Sequence, residues 1–291
     1  MSADVSVGRS YREPRWLERL ARLVPARAVP GRLRERLKPA FGRLLSARGV
    51  PMKAVLPGGE TFVVAPTHRH VTWNAEEYAA FRGAVPQGAA VLDIGANVGA
   101  YSILFARWAG PRGRVFAFEP DPAAFEGLVA HVALNHMAGC VEPLAQAVGE
   151  APRPHIRFAL GEFPGTSRMT GADVAADNVI DVPMTSIDSF CGSRGIRPSL
   201  IKIDAEGAEL QILRGARETI AASGPDLAIF VEFHPAILRA SRVSMAELER
   251  QCHALGLEFA AIDGADGEVA VREGVCVRLR PRSRRDGAQQ R

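Results

Sequence analysis

One stretch of the sequence already describes a binding turn by residue type and spacing: VLDIGANVGAYS, residues 91–102. An apolar run ends in Asp93 and passes Gly95, Asn97 and Gly99 before helix-forming residues begin. Glycines at such a turn let a ligand approach the main chain closely, and an asparagine can hold the turn or offer its amide. The spacing is not GxGxxG, which sets a helix N-terminus beneath a pyrophosphate. An acidic residue at the strand end suits a ligand without phosphates, and a cationic amino-acid group fits better. Twenty-four positions after Gly95, Glu119 ends the next apolar run, VFAFE. There a carboxylate can accept both hydroxyls of a ribose. A strand-terminal acid serves equally well as a helix cap, but beside Asp93 and Gly95 it completes a constellation.

The motifs VLDIGANVGAYS, FEPDP and IKIDAEGAELQILRGA together resemble those of the FkbM-type methyltransferases, S-adenosylmethionine-dependent enzymes. The resemblance covers about residues 74–262; its first motif marks the superfamily, and Lys202 to Glu209 carry the family signature. Asn135, Ala147-Val148-Gly149, Ser186-Ile187-Asp188 and Val231-Glu232-Phe233-His234 are further matches. The implied fold is α/β, Rossmann-like class I: a seven-stranded, mostly parallel sheet with helices on both faces, plus an N-terminal helical and hairpin extension. The resemblance also implies S-adenosyl-L-methionine as cofactor, with Asp93, Gly95, Asn97 and Gly99 around its amino-acid part and Tyr101 and Ser102 just inside the helix. Glu119 would bind the ribose, Gln146 and Ala147 would lie beside the adenine, and Asp204 would face the sulfonium and the acceptor. O-methylation of a hydroxyl on a sugar, glycan or other secondary metabolite is the expected reaction, with nitrogen acceptors open.

Methyl transfer is an in-line displacement, helped by alignment at ~3–3.5 Å. A hydroxyl acceptor must also lose its proton to a base within reach. Asp204 and His234 are the catalytic candidates, the histidine as a neutral imidazole at the end of the fifth strand. A structural hydrogen bond is the equal alternative for His234, and helix-terminus stabilisation is the alternative for Glu206 and Glu209. A divalent metal on Asp204, Glu206 and His234 is a minor variant, since nothing in the spacing demands one; no metal is expected.

These residues need elements to position them. Residues 51–65 read as a hairpin around Pro57-Gly58-Gly59, and 74–85 as a helix ended by Pro86 and Gly88. Strands at 91–94, 115–118 and 141–148 alternate with helices at 100–108 and 122–137. That βαβαβ rhythm implies a parallel sheet with its ligand crevice at the carboxyl ends of the strands. Strands at 155–160 and 179–187 flank an insert, 161–179, expected to be a mobile loop near the site. Then follow a strand at 200–203, a helix at 208–222, a strand at 227–233, a helix at 245–255 and strands at 258–262 and 274–279.

The chain has 291 residues, 47% hydrophobic and 23% charged, which excludes wholesale disorder. The expected organisation is a basic helical extension over 1–50, a methyltransferase domain over 51–280 and a disordered basic tail over 281–291. Residues 1–48 hold 12 basic and 4 acidic side chains, 49–276 hold 18 and 27, and 277–291 hold 6 and 1. An acidic body argues against a nucleic-acid groove, as does the lack of an Asn/Asp-Pro-Pro-Tyr motif after the fourth strand. Trp16, Leu17, Leu20, Leu23 and Val24 share a helical face that would cover a neighbouring core, with peripheral membrane contact the less favoured reading. No apolar run nears the ~20 residues of a membrane span, and the polar N-terminus lacks an h-region, so the expected address is cytoplasmic. Cys140, Cys191, Cys252 and Cys276 lack metal-site spacing and read as reduced thiols. The expected partner is a small-molecule or glycan acceptor, with no nucleic acid, and oligomeric state is left open. A non-catalytic binding module with basic ends and an NAD-dependent oxidoreductase are the competing classes. Intact Asp93, Glu119 and Asp204 weigh against the first, and the missing third glycine of the phosphate turn against the second.

Overall fold

The computed structural model describes residues 10–12, 51–68, 71–161, 167–169, 178–240, 242–263, 269, 271–272 and 274–282. The expected helices of the N-terminal extension, most of the insert and the basic tail beyond Arg282 lie outside the described residues.

The first described elements are a three-stranded antiparallel sheet of β1 (Ser10–Arg12), β2 (Met52–Val55) and β3 (Thr61–Val64), followed by helix α1 (Ala75–Ala84). Asn74 caps α1 by accepting from the Glu76 and Glu77 amides. The β2–β3 hairpin is held from outside. Asn135 accepts from the Val63 amide and donates to the Val63 carbonyl, pairing with the strand edge as another strand would. Glu60 at its tip accepts from the Tyr78 hydroxyl and the Trp108 indole.

The central sheet takes β4 (Ala90–Ile94), β5 (Arg114–Phe118), β6 (Val141–Leu144), β11 (Leu200–Ile203), β12 (Ala228–Val231), β13 (Leu257–Ala260) and β14 (Val277–Pro281). Their order is β13-β14-β12-β11-β4-β5-β6, parallel except around β14, which runs antiparallel to both its neighbours. The seven-stranded, mostly parallel Rossmann-like sheet is therefore present. Its strands are apolar throughout because both faces are covered. Val91, Val115, Leu200 and Phe230 join one buried cluster with Ile103, Leu104 and Phe105. Their neighbours Leu92, Phe116, Ile201 and Ile229 join the other, with Ile212, Leu213 and Leu248.

Helices α2 (Ala100–Ala109), α3 (Pro122–Leu134), α4 (Ile187–Arg194), α5 (Glu209–Arg214), α6 (Arg217–Ser223), α7 (Pro235–Ala240) and α8 (Met245–Ala254) complete the fold. Several elements differ from expectation, among them β1, a strand within the extension expected to be helical, and β9 (Arg168–Met169), a strand within the insert expected to be a loop. The strand expected over 141–148 breaks after Leu144, and β7 (Ala147–Val148) joins β8 (Arg153–Ala159), β9 and β10 (Val179–Thr185) in a second sheet, β7-β10-β8-β9. Helix α4 lies where no element was read, capped by Ser186 through the Ser189 amide. The helix expected over 208–222 is two helices. A side chain at Gly215 would meet the Gly149 carbonyl oxygen at 2.3 Å, while Asp188 starts α6 anew by accepting from the Glu218 and Thr219 amides. Helix α7, after His234, was also unread. All four cysteines are free thiols. Among the described residues no helix is long and apolar enough to cross a membrane.

Candidate functional site

Strand order reverses between β4 and β11, so the loops at their carboxyl ends part and leave a crevice. Three acidic residues stand one position beyond their strands. The Glu119 amide donates to the Leu144 carbonyl, that of Asp204 to Ile94 and that of Glu232 to Ile203. Each main chain stays in the sheet while the side chain is free to face the crevice. The cleft there has an empty volume of about 820 Å³, its open mouth included. Of the expected site residues it collects Gly95, Asn97, Glu119, Gln146, Ala147, Asp204 and His234.

The turn after β4 is tied to Glu119. The Asn97 amide donates to Glu119 Oε2 at 2.8 Å and the Asp121 amide to Oε1 at 2.8 Å. Each oxygen keeps acceptor capacity for a further donor. Burial pushes the Glu119 carboxyl up to about 7, against the pull of those two amides. Asn97 adopts φ +49°, a strained conformation of the kind that gathers at functional sites, and its Oδ1 is buried with no hydrogen-bond partner among the described residues. Gly95 has a reason other than ligand approach. It sits at φ +74°, and a Cβ there would lie 1.7 Å from the Asp204 carbonyl oxygen. Gly99 is favoured by its φ of +80°, with Leu128 Cδ1 packed where a Cβ would point.

Four expected contacts are not at the cleft wall. Asp93, Gly99, Tyr101 and Ser102 do not line it. Asp93 points to the sheet face covered by α2, where Ser102 donates to its Oδ2 at 2.5 Å. Tyr101 donates to Glu77 and accepts from the Asn74 amide, fixing α1 on α2. Between Asp93 and the cleft lies Lys202, whose role the sequence did not disclose. It is 4% exposed in the middle of β11, in register with Asp93. Its Nζ is 3.7 Å from Asp93 Oδ1 and 3.2 Å from Asp204 Oδ2. Burial opposes its charge, but these two carboxylates outweigh it and hold the ammonium well above the usual lysine range. A lysine inside a central parallel strand was the available signal, since such a charge must be paired.

His234 lies opposite, 6% exposed. Its Nδ1 is 3.1 Å from Glu209 Oε1, and its Nε2 faces Glu206, Glu232 and Asp204 oxygens at 3.5, 3.7 and 3.8 Å. Burial works against its charge, yet the Glu209 hydrogen bond and the charges of Glu206, Glu209 and Asp204 raise it to about 9. In this surrounding the carboxylates favour the protonated ring, against the neutral imidazole expected of a base at this position. Burial, with Asp204 and Glu77 nearby, lifts Glu232 to about 8. Glu209 takes the helix-terminus role weighed for it, accepting from the Gly207 amide at the start of α5, and it also orients His234. β8 and the insert contribute residues the sequence did not single out. Phe158 and Met169 pair across β8 and β9 at the cleft, and Ser167 donates to Asp121 Oδ2 at 2.6 Å.

Comparison with known proteins agrees with this geometry. The family model described as "Methyltransferase FkbM domain" matches residues 93–258, more than half of the chain. "Methyltransferase sdnD" of Sordaria araneosa is 26% identical over 163 residues, 46% of this chain and 62% of that protein. "Hexuronic acid methyltransferase AglP" of Haloferax volcanii is 24% identical over 154 residues, 50% of this chain and 56% of that one. "31-O-demethyl-FK506 methyltransferase FkbM" of Streptomyces tacrolimicus is 28% identical over 158 residues, 45% of this chain and 60% of that one. The chain thus spans about three fifths of the length of these curated relatives. Among solved structures, an FkbM methyltransferase from Methylobacillus flagellatus shares 18% identity at a TM-score of 0.41, covering 66% of this chain and 43% of that one. With its signature motifs on one cleft and the family model matched from Asp93 to Glu258, the chain belongs to the FkbM methyltransferase family.

Proposed function

We propose that this protein is an S-adenosyl-L-methionine-dependent O-methyltransferase acting on a hydroxyl of a sugar, glycan or other secondary metabolite. The observation that carries the reading is the meeting of Gly95, Asn97, Glu119, Gln146 and Ala147 with Asp204 on one cleft. The residues fit the cofactor's chemistry. The unpartnered Asn97 Oδ1 offers an acceptor for the ammonium of its amino-acid part, and the remaining lone pairs of Glu119 suit the two ribose hydroxyls. Ile94, Phe118, Ala147 and Val148 provide apolar walls for the adenine.

When bound, S-adenosyl-L-methionine supplies a methyl group on a sulfonium; the O–CH3 bond forms as the C–S bond breaks, its electron pair remaining on sulfur. Asp204 is placed to take the acceptor's proton. Lys202 holds its Oδ2, which leaves Oδ1 facing the cleft. Five carboxylates and no lysine or arginine stand among the described lining residues, so the wall favours an uncharged or amine-bearing acceptor over an anionic one. Support for an oxygen acceptor comes from the 31-O-demethyl-FK506 methyltransferase and for a carbohydrate from AglP, whose name assigns it a hexuronic acid.

Methyl transfer from labelled S-adenosyl-L-methionine to a panel of hydroxyl and amine acceptors tests the reading. Transfer to a hydroxyl is expected, with kcat reduced ~10²–10⁴-fold in Asp204→Asn. Transfer confined to amines would move the assignment to N-methylation, and no transfer with no cofactor binding would remove it.

A further inference from the structure

We propose that Asp204, Glu232 and His234 form a site for a divalent transition-metal ion at the acceptor end of the cleft. Asp204 follows β11, Glu232 follows β12, and His234 precedes α7, so three rigid elements set the three side chains. One oxygen from each carboxylate and one ring nitrogen all lie within 4.8 Å of one another.

The histidine makes this more than a group of acids. It is 6% exposed and lines the cleft, yet its Nε2 makes no hydrogen bond among the described residues: the oxygens of Glu206, Glu232 and Asp204 stand 3.5, 3.7 and 3.8 Å away. Ligand atoms on one ion at ~2.1 Å lie ~3–3.5 Å apart, so the two histidine-to-carboxylate separations need only a few tenths of an ångström of closure. The other ring nitrogen is already engaged. Nδ1 meets Glu209 Oε1 at 3.1 Å, and Glu209 is itself held by the Gly207 amide at 2.8 Å. A carboxylate behind an imidazole is the arrangement that fixes the orientation and tautomer of a metal-ligating histidine. Asp204 is prepared in the same sense, because Lys202 takes Oδ2 and leaves Oδ1 toward Nε2.

Two carboxylate oxygens with one imidazole nitrogen suit Mn²⁺ or Zn²⁺ better than Ca²⁺, which prefers an all-oxygen shell. The cleft side of the set stays open to a further ligand, as in metal sites that act on substrates. The role of the ion, though not its binding, rests on the methyltransferase reading. Beside the acceptor it would meet the negative charge gathering on the hydroxyl oxygen, and it would give an anionic acceptor a counter-charge that no lysine or arginine of the described wall supplies. Glu206, on the same wall, is then the carboxylate placed to receive the proton.

The test is calorimetric titration of the tag-free full chain with MnCl2 alone, followed by S-adenosylhomocysteine on the same sample. About one Mn²⁺ per chain is expected, weakened tenfold or more in Glu232→Gln and His234→Asn. Glu209→Gln keeps all three ligands and should still weaken binding ~10–100-fold, so the test stands even if a ligand variant fails to fold. No Mn²⁺ or Zn²⁺ binding up to millimolar concentration, in protein that binds S-adenosylhomocysteine, overturns the site and spares the methyltransferase reading. Mn²⁺ binding that none of the three substitutions weakens also overturns it. Mn²⁺ binding with the expected variant pattern but no S-adenosylhomocysteine binding keeps the site and removes the methyltransferase reading.

Discussion

Replacing Lys202 with methionine takes a buried cation from between two carboxylates and leaves its volume nearly filled. Asp93 is 1% exposed, and its Oδ1 has no hydrogen bond, only the Lys202 ammonium 3.7 Å away. Opposite charges at that distance attract by ~4–5 kcal/mol at an effective dielectric of ~20. Breaking such a pair from one side costs about 3–5 kcal/mol, because the remaining charge stays buried without compensation. Urea unfolding at pH 8 should therefore show Lys202→Met destabilised by about 3–5 kcal/mol. Burial already disfavours the Asp93 carboxylate, so without Lys202 it takes a proton more readily and the deficit should shrink as pH falls toward 5. Asp93→Asn in the same chain should recover about 0.5–3 kcal/mol of the deficit, since the isolated charge is gone. A single-variant loss below about 1 kcal/mol at pH 8, or a double variant no better than the single one, would refute the pairing of these charges across β4 and β11.

Other consequences are as direct. Gly95→Ala should lower the melting temperature sharply and abolish activity, because the new methyl meets the Asp204 carbonyl at 1.7 Å and φ is +74°; a variant of unchanged stability contradicts that contact. His131 donates from Nδ1 to the Val98 carbonyl and accepts from the Ala65 amide at Nε2, and burial lowers it to about 4. In the unfolded chain it binds a proton below ~6.5, so the native state should lose about 3 kcal/mol between pH 6.5 and 4 through this residue. That loss is read as the difference in urea stability between wild type and His131→Gln, and parallel pH curves would count against it. Glu119, raised to about 7 by burial, contributes with the opposite sign: its stabilisation is complete below the unfolded value and fades as pH rises through 7. For the cofactor the order reverses, because ribose hydroxyls need the ionised acceptor. S-adenosylhomocysteine should bind about tenfold more tightly at pH 8 than at pH 6, and Glu119→Gln should remove that difference.

The central sheet was legible in the sequence because parallel strands covered on both faces are short apolar runs, and the runs ending at Ile94, Phe118 and Ile203 have no other outlet. The break at Ala145-Gln146 was not legible. Both halves of 141–148 are apolar and strand-like, and only tertiary pairing sends Ala147-Val148 to β10 instead of β5. Helix α4, IDSFCGSR, lacks a periodic apolar face and depends on its Ser186 cap and on Phe190 packing against Phe116 and Phe118. At the site, spacing located the strand ends but not the direction of each side chain. Glu119 and Asp204 stand past their strands and reach the cleft, whereas Asp93 lies within β4 and turns to α2. The residues around Lys202 and Glu232 were beyond reach for another reason. Glu77 meets the Cys276 amide 199 positions away, a closeness that only the folded chain creates.

Isothermal titration of S-adenosylhomocysteine into wild type and Glu119→Ala tests most directly whether this cleft holds the methyl donor. Wild type should bind in the micromolar range, and the variant should lose about 1.5–3 kcal/mol, the worth of hydrogen bonds to a charged acceptor. Absence of binding by the wild type, or a variant that binds equally well, would contradict the assignment of this cleft to S-adenosyl-L-methionine.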